Sequence, residues 1–324
     1  MSIMKSWIRS IRIEAEGIRS LELCPQEGRF PAVEAGAHID VHLPGGLVRQ
    51  YSLLAGSHEG QYRIGVSLDP ASRGGSRAVH QALNVGDALE ISEPRNLFKL
   101  DESQASTSVL LAGGIGITPI HAMAQRLQAL GQPWHLFYCV RSRHRAAFLD
   151  ELQQLEANSQ GLGRLDVLVE DEMNGARMDM DAALAPYKSQ GSHFYCCGPA
   201  GMLQAYKQAC ADLPDQQMHF EYFAAAPVTA ADQGEDSAFT VHLARTGGSI
   251  EVPAGRSILE CLLDQGIRVY CSCREGICGS CETKVLSGTP EHRDHVLSEQ
   301  ERAASESMMI CVSRSRGEAL TLDL

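Results

Sequence analysis

Cys273-Arg274-Glu275-Gly276-Ile277-Cys278-Gly279-Ser280-Cys281 is the stretch that decides how this chain is read, together with Cys311, which follows after 29 residues. The spacing C-x4-C-x2-C with a distant fourth cysteine is that of a plant-type [2Fe–2S] site. One loop wraps three thiolates around the cluster and a remote segment brings the last. Gly276 and Gly279 let the backbone approach closely and aim amide N–H groups at the sulfurs. A zinc site normally takes C-x2-C pairs, which x4 beside x2 in one loop fits poorly. Disulfides fit poorly too: there are 11 cysteines, an odd number, and no N-terminal signal pattern, so a reducing cytoplasm is expected. The neighbouring Cys271 falls out of register and reads as a bystander. Such a cluster carries one electron at a time, so a source of single electrons is expected elsewhere in the chain.

A length of 324 residues predicts two or three domains. Hydrophobic content of 44% and charged content of 21% are those of ordinary globular protein. The longest apolar run, residues 109–123, is broken by three glycines and a proline and cannot span a membrane. A net charge of −12 argues against a nucleic-acid partner. Residues 224–236 hold no large hydrophobe except Val228 and read as a solvated linker. The expected boundaries are therefore a barrel at 1–102, a nucleotide-binding domain at 103–225, a linker at 226–237 and a cluster domain at 238–324.

In the first part, Ile39, Val41 and Leu43 alternate with Asp40 and His42, and Tyr62, Ile64, Val66 and Leu68 with Arg63, Gly65 and Ser67. Short strands at this spacing predict an antiparallel barrel. From Ser108 the pattern becomes strand–helix alternation: a strand at 109–111, a helix to Leu130, a strand at 135–140 and a helix at 146–155. That series predicts a parallel sheet. After the linker, 239–243 and 249–252 read as strands paired around Thr246-Gly247-Gly248, and Ser257 caps a helix at 258–265 that Gly266 ends. The fold class expected is multidomain α+β and α/β, with a barrel, a parallel-sheet domain and a C-terminal β-grasp ferredoxin.

Two barrel motifs carry chemistry. Arg49-Gln50-Tyr51-Ser52-Leu53 is placed at a strand start, and Ser72-Arg73-Gly74-Gly75-Ser76-Arg77 before a helix beginning near Ala78. A Gly-Gly-Ser turn opening a helix suits a phosphate, Arg49 adds a charge-assisted bond, and Tyr51 can lie along an aromatic ring. Either motif alone is common; the pair within one barrel points to a flavin. In the parallel-sheet part, Ala112-Gly113-Gly114-Ile115-Gly116-Ile117-Thr118-Pro119 joins a buried strand to a helix, suited to a pyrophosphate or a nicotinamide amide. It is not G-x-G-x-x-G, so the ordinary dehydrogenase fold is disfavoured. A second strand end, Phe194-Tyr195-Cys196-Cys197-Gly198-Pro199-Ala200-Gly201-Met202, repeats the design with a thiol at the ligand-binding edge. A nucleophilic Cys197 would need a nearby base, which the sequence does not show; packing against a ring is the better reading.

With these motifs in this order, nearly the whole chain resembles the phthalate dioxygenase reductase family of flavin–iron–sulfur reductases, and within it the aromatic-acid demethylase and carnitine monooxygenase reductases. His219-Phe220-Glu221-Tyr222-Phe223, Glu291-His292-Arg293-Asp294 and Met308-Met309-Ile310-Cys311 belong to the same likeness. The resemblance implies FMN, with its phosphate at Arg49 and the turn of Gly74, Gly75, Ser76 and Arg77, and with Gln50, Tyr51, Ser52, Val66, Ser67 and Leu68 also binding it. It places Ser52 near the flavin N5 edge, Thr118 beside the ring and Phe223 against it, shielding the flavin until nicotinamide arrives. From the residues alone, Phe223 reads equally as a core aromatic closing a domain. Gly113, Gly114, Gly116, Arg141, Cys197, Gly198 and Pro199 are then the nucleotide-binding candidates, Ser52, Thr118, Cys197 and Phe223 the catalytic ones, and Cys273, Cys278, Cys281 and Cys311 the cluster ligands.

The resemblance implies NADH as donor. The basic run Arg141-Ser142-Arg143-His144-Arg145 stands where an adenosine 2′-phosphate would sit and keeps NADPH open. The expected path runs from NADH through FMN and the [2Fe–2S] cluster to a separate oxygenase with its own Rieske centre. The rivals are a stand-alone NAD(P)H oxidase or flavin reductase, and a redox sensor without turnover. Residues 238–324 carry 12 acidic and 9 basic side chains, so neither sign marks a docking face.

Overall fold

A computed structural model describes residues 2–56, 60–103, 106–223 and 236–324. The chain divides into two compact units, Met1–Phe223 and Ala224–Leu324. The linker expected at 226–237 lies almost wholly outside the described residues.

The first unit begins with strands β1 (Ile3–Ala15), β2 (Ile18–Pro25), β3 (His38–Leu43), β4 (Leu47–Ala55), β5 (Tyr62–Ser67) and β6 (Ala88–Ser92), with helix α1 (Gly75–Gln81) between the last two. They form a closed barrel in the order β1-β2-β5-β4-β3-β6, each neighbour antiparallel, as the alternating runs predict. Closure removes the open sheet edges that a flat sheet would expose. The barrel interior is aliphatic, with Leu21, Ile39, Val41, Ile64 and Ile91 all buried. The alternation expected in β3 fails at Asp40, which is also buried. Arg95 Nη2 donates to its Oδ1 at 2.8 Å, and the Arg95 backbone exchanges hydrogen bonds of 2.8 and 3.0 Å with His38. The flavin-type run Arg49 to Leu53 lies within β4 rather than at its start. Helix α1 begins at Gly75, three residues before Ala78, because Gly74 turns the chain at φ +95° and the helix closes at once behind it.

Strands β7 (Ser108–Gly113), β8 (Trp134–Val140), β9 (Gly163–Val169), β10 (Phe194–Cys197) and β11 (Met218–Glu221) make the predicted parallel sheet, in the order β11-β10-β7-β8-β9. Helices α2 (Ile117–Ala129), α3 (Leu149–Ala157), α4 (Met180–Lys188) and α5 (Ala200–Ala209) connect them. The chain runs outward from β7 through β8 to β9, then returns to the other side of β7 as β10. The switch point between β7 and β10 is where ligands of open α/β sheets bind. The helix expected over 146–155 starts only at Leu149, because Phe148 adopts a left-handed φ of +59° that turns its ring inward. Phe148, Ile117, Leu136 and Tyr138 share one core with Ile18 and Leu54 of the barrel. Arg63 of β5 grips Glu151 of α3 through bonds of 2.7 and 2.6 Å.

The second unit holds β12 (Phe239–Leu243), β13 (Ser249–Val252), α6 (Ile258–Asp264), β14 (Glu282–Ser287), β15 (Pro290–Glu291), α7 (Glu299–Ala304), β16 (Ser307–Met309), β17 (Arg314–Ser315) and β18 (Ala319–Leu322). Its sheet order is β13-β12-β18-β14-β16, with α6 packed against it through Ile258, Leu259 and Leu262. The expected hairpin and the Ser257 cap are both present; Ser257 and Glu260 form a reciprocal capping box.

Asp40→Ala should destabilise the first unit by about 3–5 kcal/mol, because it leaves the Arg95 guanidinium partly buried without its carboxylate. Urea denaturation followed by tryptophan fluorescence checks this. A loss below about 1 kcal/mol would mean that the pair is not needed to close the barrel.

Candidate functional site

The four cysteines of the decisive stretch converge. The Cys273 thiol lies beside those of Cys278 and Cys311, and the Cys311 thiol beside that of Cys281. All four are buried. Backbone N–H groups of Glu275 and Ile277 point at the Cys273 sulfur and that of Gly276 at Cys311. Ser280 Oγ lies 3.0 Å from Cys278 Sγ. Gly276 is required on two grounds: φ is +69°, and a Cβ would stand 2.5 Å from Val312 Cγ2. Among the described residues no group of three or more His, Cys, Asp or Glu is arranged around a single ion. Four buried thiols with backbone N–H donors around them suit a two-iron cluster, which takes two ligands per iron. Cys271, half-buried, packs on the hydrophobic core of this unit.

In the first unit the two barrel motifs meet. Arg49 Nη2 donates to the Arg73 carbonyl at 3.0 Å, and a Cβ on Gly75 would lie 2.5 Å from Arg49 Cγ. Ser72 Oγ accepts from the Gly74 amide at 3.2 Å and from Ser76 Oγ at 2.9 Å, which holds the turn in shape. Thr118 is buried with its methyl toward β5; a Cβ on Gly65 would come within 2.7 Å of it. Its hydroxyl bonds back to Ile115 at 3.1 Å.

The glycine turns after β7 and β10 touch at the switch point. A Cβ on Gly116 would sit 2.2 Å from the Cys197 carbonyl oxygen, and one on Gly113 would sit 2.6 Å from Pro199 Cδ. Beside them a cleft of about 390 Å³ opens along the carboxyl ends of β7 to β10. It gathers Gly113, Gly114, Arg141 and Pro199, together with Ser67 of the barrel. Of the basic run, Arg141 and Arg145 line it, whereas Arg143 is held by Glu172 through two bonds of 2.7 Å. The sequence reading missed three methionines of its wall (Met173, Met178 and Met180) and the acidic Glu170 that lines it with Arg141. Phe223 is 38% exposed and so is not a core aromatic.

A third feature was not foreseen as a site. Glu221, at the end of β11, stands in register with Cys197, and Ser52 hydrogen-bonds to its carboxyl. His38 Nδ1 lies 3.9 Å away. The pair is not an ion pair, because burial keeps both neutral. Burial first, opposed by the Ser52 bond, raises the Glu221 carboxyl to about 8. Burial, then the nearby Arg95, lowers His38 to about 4. Glu221 Oε2 and both His38 ring nitrogens are buried without a hydrogen-bond partner. Burial, and after it Glu221, pushes the Cys197 thiol well up, so it is no ready nucleophile.

The sign of the pH dependence follows. A carboxyl raised by folding contributes stability that is whole below its ordinary value of 4.5 and lost as pH climbs through 8. His38 acts oppositely, its contribution falling as pH drops from 6.5 through 4. Between pH 6.5 and 8 the slope from this pair therefore belongs to Glu221. Glu221→Gln should flatten it, removing a loss on the order of 2 kcal/mol across that window. Denaturant midpoints measured against pH check this, and an unchanged slope in the variant would show that Glu221 ionises normally.

Comparison with known proteins accords with this geometry. Residues 241–316 match the 2Fe-2S iron-sulfur cluster binding domain, and residues 110–208 match the oxidoreductase NAD-binding domain. The chain is 47% identical to phenoxybenzoate dioxygenase subunit beta of Ectopseudomonas oleovorans, over 98% of this chain and 96% of that one. It is 45% identical to tetrachlorobenzoquinone reductase of Sphingobium chlorophenolicum, over 100% and 99%. The solved structure of phthalate dioxygenase reductase, titled for electron transfer from pyridine nucleotides to [2Fe–2S], superposes with a TM-score of 0.72 at 38% identity, covering 100% of this chain and 98% of that one. No helix among the described residues is long and apolar enough to cross a membrane. Converging thiols, a nucleotide cleft at a sheet switch point and these likenesses lead to one conclusion: the chain is an oxidoreductase that belongs to the phthalate dioxygenase reductase family.

Proposed function

We propose that this protein takes electrons from NADH, passes them through FMN to its [2Fe–2S] cluster, and delivers them singly to a separate oxygenase that carries a Rieske centre. The observation that carries the proposal is the set of four buried, converging thiols in a chain that also builds a nucleotide cleft. Bound FMN supplies acceptance of a two-electron hydride and release of single electrons.

The chain's own residues do the positioning. Arg49 and the turn of Gly74, Gly75, Ser76 and Arg77 hold the flavin phosphate. Gln50, Tyr51, Ser52, Val66, Ser67 and Leu68 line its ring system, with Thr118 beside it and Phe223 covering it. Gly113, Gly114 and Gly116 give the nucleotide close access to the backbone, Cys197 with Gly198 and Pro199 forms the opposite lip, and Arg141 reaches its phosphates. Glu170 in the cleft wall, and Glu172 tying up Arg143, disfavour an added 2′-phosphate and support NADH over NADPH. The domain limits we assign are 1–102 for flavin, 103–225 for nucleotide and 238–324 for the cluster, with 226–237 as linker. The oxygenase partner rests on relatives named as oxygenase subunits, and a cytoplasmic setting rests on the thiol-rich sequence.

A second acceptor is favoured by one relative: a quinone reductase at 45% identity suggests that a small quinone could take the electrons directly. Cys311→Ser separates the possibilities. It should abolish the iron–sulfur absorbance and spare NADH–ferricyanide activity, while cytochrome c reduction falls by more than about tenfold. Quinone reduction that survives with cytochrome c reduction lost would assign the quinone to the flavin. Cytochrome c reduction that survives unchanged would remove the cluster from the path.

A further inference from the structure

The run Glu291-His292-Arg293-Asp294 has no part in the chemistry above, yet its last residue lies behind the cluster loop. The Asp294 side chain has no exposed surface. Its Oδ2 accepts the backbone N–H groups of Val296 at 3.0 Å and Leu297 at 2.9 Å, and its Oδ1 accepts from Ser313 Oγ at 3.5 Å. Donors alone surround it, the pattern of a charged, acceptor-only carboxylate. Two further groups face it: His292 Nδ1 at 3.6 Å from Oδ1, and Arg302 Nη2, which donates to the Asp294 backbone carbonyl at 2.5 Å and lies 3.9 Å from Oδ2.

Asp294 touches both arms of the ligand set through the backbone. A Cβ on Gly276, inside the cysteine loop, would lie 3.1 Å from Asp294 Cα. The next residue, His295, donates its N–H to the Gly276 carbonyl at 2.7 Å, while the Gly276 N–H points at the Cys311 sulfur. On the other arm, fully buried Ser313, two residues past Cys311, accepts from the Arg293 N–H at 3.2 Å and donates to Asp294.

We propose that Asp294 is a positioning residue for the cluster: it fixes the Gly276 turn against the Cys311 segment, and its buried negative charge holds the cluster's reduction potential low. The inference rests on the reading of the four cysteines as [2Fe–2S] ligands. A fixed anion near a centre that becomes more negative on reduction opposes that reduction, and the effect is strong where water is excluded. Arg302 partly offsets the charge from the outer side.

The test is the midpoint potential of the cluster in the intact protein, read by redox titration of its visible and EPR signals. Asp294→Asn keeps the shape and one acceptor oxygen but removes the charge. It should raise the potential by a tenfold change in the reduction equilibrium, about 59 mV for one electron. Arg302→Gln removes the offsetting cation and should lower the potential, with Arg302→Lys restoring it. An intact cluster in Asp294→Asn with an unchanged potential would overturn the proposal. If that variant assembles no cluster, an unchanged potential in Arg302→Gln overturns it instead. Absence of any iron–sulfur signal in the unaltered protein would refute the cluster reading rather than this inference.

Discussion

Four thiolates and a reducible centre concentrate negative charge in a small dry volume, and the second unit is organised around making that tolerable. Backbone N–H groups supply the compensation, which demands a loop that curls inward on itself. The left-handed φ of Gly276 and Gly279, and of Arg274 at +59°, provide the curl. The fourth thiol arrives from just beyond β16, so the ligand set is complete only where that strand is docked on the sheet. Cluster assembly and folding of this unit are therefore coupled, as for other sites whose ligands come from separate segments.

The first unit solves a different problem, close approach of ring systems to backbone. The strand order reverses between the parallel strands β7 and β10, and the reversal leaves a crevice whose two lips are glycine turns. Side chains at Gly113 or Gly116 would collide with the opposite lip. The barrel lends Ser67 to the same cleft, and the Arg63–Glu151 grip with the shared core of Ile18, Leu54 and Phe148 keeps barrel and sheet in one unit. The neutral pair of Glu221 and His38, beside Ser52 and Cys197, adds buried polar groups at this junction that folding alone does not need.

What the sequence disclosed and what it hid divide along a physical line. Cysteine spacing, glycine turns and the Ser257 cap are local: the covalent chain itself sets the distances that matter, so the hairpin at 239–252, the capped helix and the converging thiols were legible. That the sheet is parallel followed from strand–helix alternation in the same way, whereas its strand order did not. Asp40 and Asp294 were not legible as buried carboxylates, nor Glu221 as a neutral carboxyl. Asp40 and Glu221 get their partners, Arg95 and Ser52, from far along the chain, and Asp294 adds distant Ser313 to the nearby Val296 and Leu297 amides. The late start of α3 was hidden because Phe148 takes a positive φ that a bulky residue rarely adopts, its ring packed close to Gly65 and against His121. The methionine wall of the cleft carries no local signal, because it forms only where the strand ends come together.

The central claim is that one chain carries electrons from a nicotinamide to its own iron–sulfur cluster. An anaerobic titration of the purified protein with NADH, followed by visible spectra and by identification of the released flavin, tests it most directly. Bleaching of flavin and iron–sulfur bands together, with FMN recovered, is the result this account predicts. A flavin that bleaches while an intact cluster stays oxidised would contradict it.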